Sequence, residues 1–199
     1  MITCAGCVID PSFADVRPTS CFRWFWGCIN LTDVQGLEYL NTSQVTNMSF
    51  MFSTCSVLTS LDLRCLDTSQ VTTMDYMFSK CFKLANLNVS KFNTSKVENM
   101  ENMFLQCKVL PSIDLSHFDT SKVTNFQFMF SQCEALTELD LSSFDTSNVT
   151  NVNNFSGMFN GCENIETIYV SDKFITPNEE MSCFMFALCK KLVGAIEFD

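Results

Sequence analysis

The chain has 199 residues, 12 basic against 22 acidic side chains and a formal net charge of −10. That balance disfavours polyanionic partners such as nucleic acid or an anionic membrane surface. The low glycine and proline content (6 and 4) argues against a linker-rich or disordered chain, and no run of apolar residues is long enough to span a bilayer.

The first residues, Met1 to Cys7, carry neither a basic region nor a long apolar run, so no secretion signal is read there. Cys4 and Cys7 have metal or redox spacing, but no second pair and no strand–helix context accompany them. From residue 24 a repeat takes over. Trp24-Phe25 with Cys28 and Leu31 is followed by Met51-Phe52 with Cys55 and Leu58, and by Met77-Phe78 with Cys81 and Leu84. The pattern returns at Met103-Phe104, Met129-Phe130, Met158-Phe159 and Met185-Phe186. Its cysteines stand at Cys28, Cys55, Cys81, Cys107, Cys133, Cys162 and Cys189, with steps of 27, 26, 26, 26, 29 and 27. Self-similarity at this period marks a solenoid, in which stacked coils share one core.

Within each unit the pieces keep phase. Leu61-Asp62-Leu63, Leu87-Asn88-Val89, Ile113-Asp114-Leu115 and Leu139-Asp140-Leu141 alternate apolar and polar, the pattern of a strand with one buried face. An Asx-Thr-Ser turn follows, with its Asx at Asn41, Asp67, Asn93, Asp119 and Asp145, where a short polar side chain bonds to nearby backbone. Met48, Met51, Phe52 and Cys55 share one helical face, which predicts a short helix, and Asn47, Thr73, Asn99 and Asn125 stand where its N-terminal cap would be. The Met and Phe columns are read as core.

With Leu84-x-x-Leu87-x-Val89-x-x-Phe92-Asn93 added, the unit resembles the bacterial surface protein 26-residue repeat of the BspA-like leucine-rich repeats. The resemblance runs from about Val8 to the end. It implies an α/β repeat solenoid, wound right-handed, with a parallel β-sheet on one side and short helical turns on the other. It also implies a cell-surface or secreted location, and adhesion for some members. The expected organisation is one continuous array: a variant unit over 1–33, five tandem repeats over 34–167 and a variant unit over 168–199.

The chemistry is weighed on that scaffold. One cysteine per 26 residues is not metal-ligand spacing, and neighbouring coils hold Cβ atoms about 4.8 Å apart, wider than a disulfide prefers. The cysteine column is therefore read as buried free thiols. Cys21 falls in a buried column, Cys65 in an exposed one, and His117 is read as a solvated surface histidine. The outward strand positions, Asp62, Asn88, Asp114, Asp140 and Tyr169, form the candidate partner-binding face. Two irregularities are candidate recognition edges: three extra residues within 148–154, and the stretch Thr176 to Glu180. No catalytic residues, metal or cofactor are predicted. The expected function is a non-catalytic module that binds a protein ligand through an acidic sheet face. The alternative is a structural block that self-associates through its ends, for which Ala195 to Phe198 would begin another strand.

Overall fold

The structure, a computed structural model, describes residues 5–176 and 184–193. Cys4, most of the stretch from Thr176 to Glu180, and Ala195 to Phe198 lie outside them.

The chain winds as a repeat solenoid with two unlike sides. One side carries short strands: β1 (Gly6–Val8), β2 (Asp33–Gln35), β3 (Ser60–Asp62), β4 (Asn86–Asn88), β5 (Glu138–Leu141) and β6 (Thr167–Val170). All pairing is parallel and between neighbouring coils, with Leu61 opposite Leu87 and Leu139 opposite Ile168. The sheet is not continuous, however; it consists of the pairs β1–β2, β3–β4 and β5–β6. Two sequence features account for breaks. Between Leu31 and Asn41 the chain has one residue more than between Leu58 and Asp67, and Gly36 absorbs it at φ +79°, next to the β2 edge. A side chain there would put its Cβ 2.2 Å from the Ile9 carbonyl oxygen. Farther along, Pro111 stands where Ala85 and Glu166 donate their N–H groups to Thr59 and Thr137, and proline has no N–H to give.

The other side overturns the expected helix. The Met-Phe segments form a ribbon of tight turns. Phe50 and Thr54, Tyr76 and Lys80, Asn102 and Gln106, and Phe128 and Gln132 all have φ between +52° and +65°, which no α-helix contains. Met51 N–H bonds to Met48 C=O and Cys55 N–H to Phe52 C=O within the coil, each turn having its third residue left-handed. The alternate amides point out of the coil. Met48, Phe50, Phe52 and Thr54 donate to the carbonyls of Thr73, Asp75, Met77 and Ser79 in the next coil. The same four-bond set joins each later pair of coils up to that of Phe126, Phe128, Phe130 and Gln132, which donate to Asn154, Ser156, Met158 and Asn160. A helix would spend these donors on its own chain; here they stitch coils together. The residues expected to cap a helix start the turns instead. Asn47, Asn99 and Asn125 accept through Oδ1 from Ser49, Glu101 and Gln127 N–H, while Thr73 Oγ1 donates to Asp75.

Between the two sides lies a core of stacked columns. Phe25, Phe52, Phe78, Phe104, Phe130, Phe159 and Phe186 form a ring stack with centroids 5.0 to 6.1 Å apart. Met48, Met51, Met74, Met77, Met100, Met103, Met129 and Met158 are fully buried beside it. Aromatic stacking adds about 0.5–1.5 kcal/mol per pair beyond the burial itself.

The Asx-Thr-Ser turn locks one coil to the next. Asn41, Asp67, Asn93, Asp119 and Asp145 each accept from the N–H of the serine two residues on. The buried threonine works between coils. Thr94 Oγ1 donates to Asp119 C=O at 2.8 Å and accepts from Asp119 N–H at 2.8 Å, and Thr68 and Thr120 do the same to Asn93 and Asp145. Three residues thus satisfy the backbone of two coils at a buried corner.

Candidate interaction faces

The outward column of the sheet side lies on the strands except at Asp114, and local turns fix it. Asp62, Asp114 and Asp140 are exposed, Asn88 is half-buried, and Tyr169 is half exposed on β6. Each of the four Asx side chains bonds to the backbone N–H two residues on, and Asp114 does so in a segment that forms no strand, contrary to the alternation of Ile113-Asp114-Leu115. Asp62, Asn88, Asp114 and Asp140 accept from the N–H of Arg64, Ser90, Ser116 and Ser142 at 2.9–3.2 Å. The carboxylates therefore stand at set positions. The Arg64 guanidinium, bidentate on Asp62, holds that carboxyl below its usual range. Hydroxyl and N–H donation from Ser116 and Ser142 does the same for Asp114 and Asp140. These groups keep their charge to more acidic pH than free carboxylates.

Where β2 and β3 fail to pair, the sheet side opens into a cleft of about 620 Å³. Val34, Leu37 and Leu61 line it together with Asp33, Glu38 and Asp62. Cys65 lies at its rim, exposed, and partial burial still raises its thiol pKa.

The cysteine column runs through the interior. Cys28, Cys55, Cys81, Cys107, Cys133 and Cys162 are buried thiols, as is Cys21 outside the column, and Cys189 is partly buried. The sulfurs are more than apolar filling. Cys55, Cys81, Cys107, Cys133, Cys162 and Cys189 each donate S–H to the carbonyl of a column phenylalanine in the preceding coil, Phe25, Phe52, Phe78, Phe104, Phe130 and Phe159, at 3.1–3.3 Å. Burial pushes the Cys81 and Cys162 thiols up to about 12 and Cys189 to about 11, so this column offers no thiolate nucleophile near neutral pH.

His117 is half-buried rather than fully solvated. Its Nε2 lies 2.9 Å from the Val89 carbonyl oxygen and its ring stands edge-on to Phe118 at 5.1 Å. Ser143, one coil later, makes the same reach to Leu115 C=O. Imidazole and hydroxyl thus make equivalent hydrogen bonds to the preceding coil at this position. The three extra residues within 148–154 do not hang as a loop. They form a single 3-10 turn, Val152–Phe155, begun by Asn151, with Phe155 buried. Asn148 and Asn154 tie it back through their amides to the Ser121 and Thr124 carbonyls.

The sequence reading missed a cluster on the ribbon side of the first coil. Phe22 and Trp26 are 45% and 48% exposed, and the Arg23 guanidinium sits over the rings of Phe22, Trp26 and Phe50. The signal was present: both tryptophans of the chain lie within residues 24–26, just after two arginines and inside an acid-free stretch. Among the described residues no group of three or more His, Cys, Asp or Glu side chains could hold a metal ion, and no helix is long and apolar enough to cross a membrane.

A family model described as "Mycoplasma protein of unknown function, DUF285" matches residues 19–113 and 83–197. No curated protein matches the chain. Two solved structures are similar to it. One is a leucine-rich repeat protein of T. pallidum, 18% identical, with 94% of this chain and 78% of that one covered and a TM-score of 0.41. The other is a leucine-rich repeat protein of Bacteroides ovatus ATCC 8483, 17% identical, with a TM-score of 0.45. There 87% of this chain is covered and about half of the other, 49%.

Proposed function

The chain belongs to the DUF285 family, described as Mycoplasma proteins of unknown function, and from that premise we propose that it is a non-catalytic protein-interaction module whose sheet side engages a basic protein surface. The observation that carries this reading is the fixed carboxylate column of Asp62, Asp114 and Asp140. Each is held by the N–H two residues on, Asp62 already shared with Arg64 and Asp114 and Asp140 in no ion pair among the described residues, so a partner meets charges that need no ordering. The outward position recurs once per coil, with the neutral Asn88 between Asp62 and Asp114, and the net charge of −10 steers cationic surfaces toward the molecule.

We read the winding as right-handed and the repeat as BspA-like, with a surface or secreted location and an adhesive role. Limited surface proteolysis of intact cells, followed by detection of this chain, tests the location. For the face itself, wild type and the Asp62→Asn, Asp114→Asn, Asp140→Asn triple variant are titrated against a panel of immobilised purified basic and acidic proteins. We expect binding to basic members that weakens at least about tenfold in the variant, equal to 1.4 kcal/mol. Asparagine keeps the turn acceptor, as Asn88 does, so folding is preserved. Equal binding by both proteins, or preference for acidic members, overturns the reading.

Stacking of copies is the second reading. All four ribbon amides of a coil point the same way, N–H toward the next coil and C=O toward the previous one. That polarity is what head-to-tail association would use. Sedimentation as a single monomeric species at high concentration removes it.

A further inference from the structure

We propose that the Arg23 cluster on the ribbon side is a second docking site, built to receive a carboxylate presented beside an apolar side chain on a protein segment. It lies on a different coil and side from the acidic column and does not depend on it.

The first coil departs from the others at two ribbon positions. Where later coils place the buried hydroxyls Ser53, Ser79 and Ser131, this coil has Trp26, and in register with Ser49 it has Phe22. Both rings are nearly half exposed. Between them the Arg23 guanidinium lies 4.9 Å from the Phe22 centroid, 4.8 Å from Trp26 and 5.2 Å from Phe50. Three rings therefore restrict one cation, and its rotamer freedom is largely spent before any partner arrives.

What the cation lacks is an anion. The ion pairs among the described residues use Arg64, Lys108 and Lys190, and none uses Arg23. Residues 16–32 contain two arginines and no Asp or Glu, in a chain whose net charge is −10. The other arginine, Arg17, is turned onto the Ala14 and Val16 carbonyls. Arg23 thus offers a planar fork of N–H donors whose central carbon is held over rings. That geometry fits a carboxylate, which two parallel N–H groups bind in one plane. The flanking exposed Phe22 and Trp26 supply the apolar contact, and arginine and tryptophan are residue types that dominate interface energetics.

The single cation also decides what the site does not take. Nucleic acid and anionic bilayers are held by many cations acting together, and the acidic remainder of this chain repels them. One carboxylate with an apolar neighbour, on an extended protein segment, matches one fork with two rings.

The test uses two matched sets of blocked peptides, one with a single Glu next to Phe or Leu, the other with Gln in its place. Trp24→Phe leaves Trp26 as the one tryptophan, and its emission reports binding. We expect saturable titration by Glu peptides and at least tenfold weaker binding by their Gln counterparts. Arg23→Gln should abolish the difference between the sets, and Arg23→Lys should restore part of it. The Asp62, Asp114, Asp140 triple variant should bind these peptides as wild type does, which separates failure of this site from failure of the acidic face. Equal binding of the two sets, or no binding of any Glu peptide at millimolar concentration, overturns the proposal. The wild-type comparison stands even where an Arg23 variant folds poorly. A cluster that only closes the first coil would change thermal stability on substitution and show no Glu-over-Gln preference.

Discussion

The two sides of this solenoid are joined by different means. On the ribbon side, four amides per coil bond to the next coil without interruption through the regular array, and the phenylalanine stack runs just beneath them. On the strand side the same coils pair only two by two, and an inserted Gly36 and a Pro111 are enough to open the ladder. Cohesion is concentrated where side chains are apolar and repeated, whereas irregularity is tolerated where they are polar and exposed. A binding face can vary because the opposite side holds the stack.

The sharpest way to break this contrast is to cut the ring stack. Phe104→Ala removes a fully buried ring between Phe78 and Phe130 and should cost about 3–5 kcal/mol. By contrast Ala85→Pro, which copies Pro111 one coil earlier on the strand side, should cost about 1 kcal/mol, the worth of one lost hydrogen bond. Urea unfolding of both variants measures the difference. Equal losses would contradict the asymmetry.

Next in size is Gly157→Ala on the ribbon. The new Cβ would stand 2.2 Å from the Phe128 ring, at a residue with φ +61°. We expect about 1–3 kcal/mol of destabilisation. A Phe128→Leu partner change should recover part of it, leaving the cost of the left-handed backbone. Failure of the double variant to recover any stability would mean the ring contact is not the cause.

The thiol column makes the core sensitive to alkali. Folded Cys81 and Cys162 stay protonated to about 12, while in the unfolded chain they ionise near 9.0. Their contribution is therefore complete below 9.0 and is lost as pH rises from there toward 12. Stability should fall over that window, and Cys81→Ala, Cys162→Ala should flatten the fall. In native protein a thiol reagent should modify Cys65 promptly and Cys81 and Cys107 only on unfolding.

The smallest effects belong to the carboxylates of the polar turns. Asp119 and Asp145 are held below the ordinary carboxylate value by their serine donors, so the stabilisation they give is present above about 3.8 and is lost as pH drops through their lowered folded values. Asp119→Asn and Asp145→Asn should change stability by less than about 0.5 kcal/mol at pH 7. They should weaken the acid sensitivity, because Asn41 and Asn93 already serve the same turn as amides. Thr94→Val, which keeps the shape but removes the donor and acceptor between coils, should cost about 1–3 kcal/mol if this corner matters as the hydrogen bonds indicate.

Much of the architecture was legible in one dimension. Spacing of the cysteines gave the coil length, and the apolar columns gave the core, because a buried position in a stacked array recurs at the repeat period. The Asx-Thr-Ser triplet announced a turn. Its threonine clamp was not legible, since the partner carbonyl belongs to another coil 25 residues away. The helix expectation failed for a related reason. Met48, Met51, Phe52 and Cys55 face one way in a helix and also in a ribbon of turns, so apolar spacing alone could not separate the two.

The sequence by itself determined the period, the in-register stacking of like residues and which columns are interior, because burial selects side-chain type position by position. Tertiary structure alone decided where the backbone hydrogen bonds go: into the neighbouring coil along the ribbon, and away from it at Gly36 and Pro111. It also decided that Arg23 meets three rings, one of them from the next coil. A donor chooses its acceptor by distance and direction in space, and no residue's identity records what the next turn of the chain brings beside it.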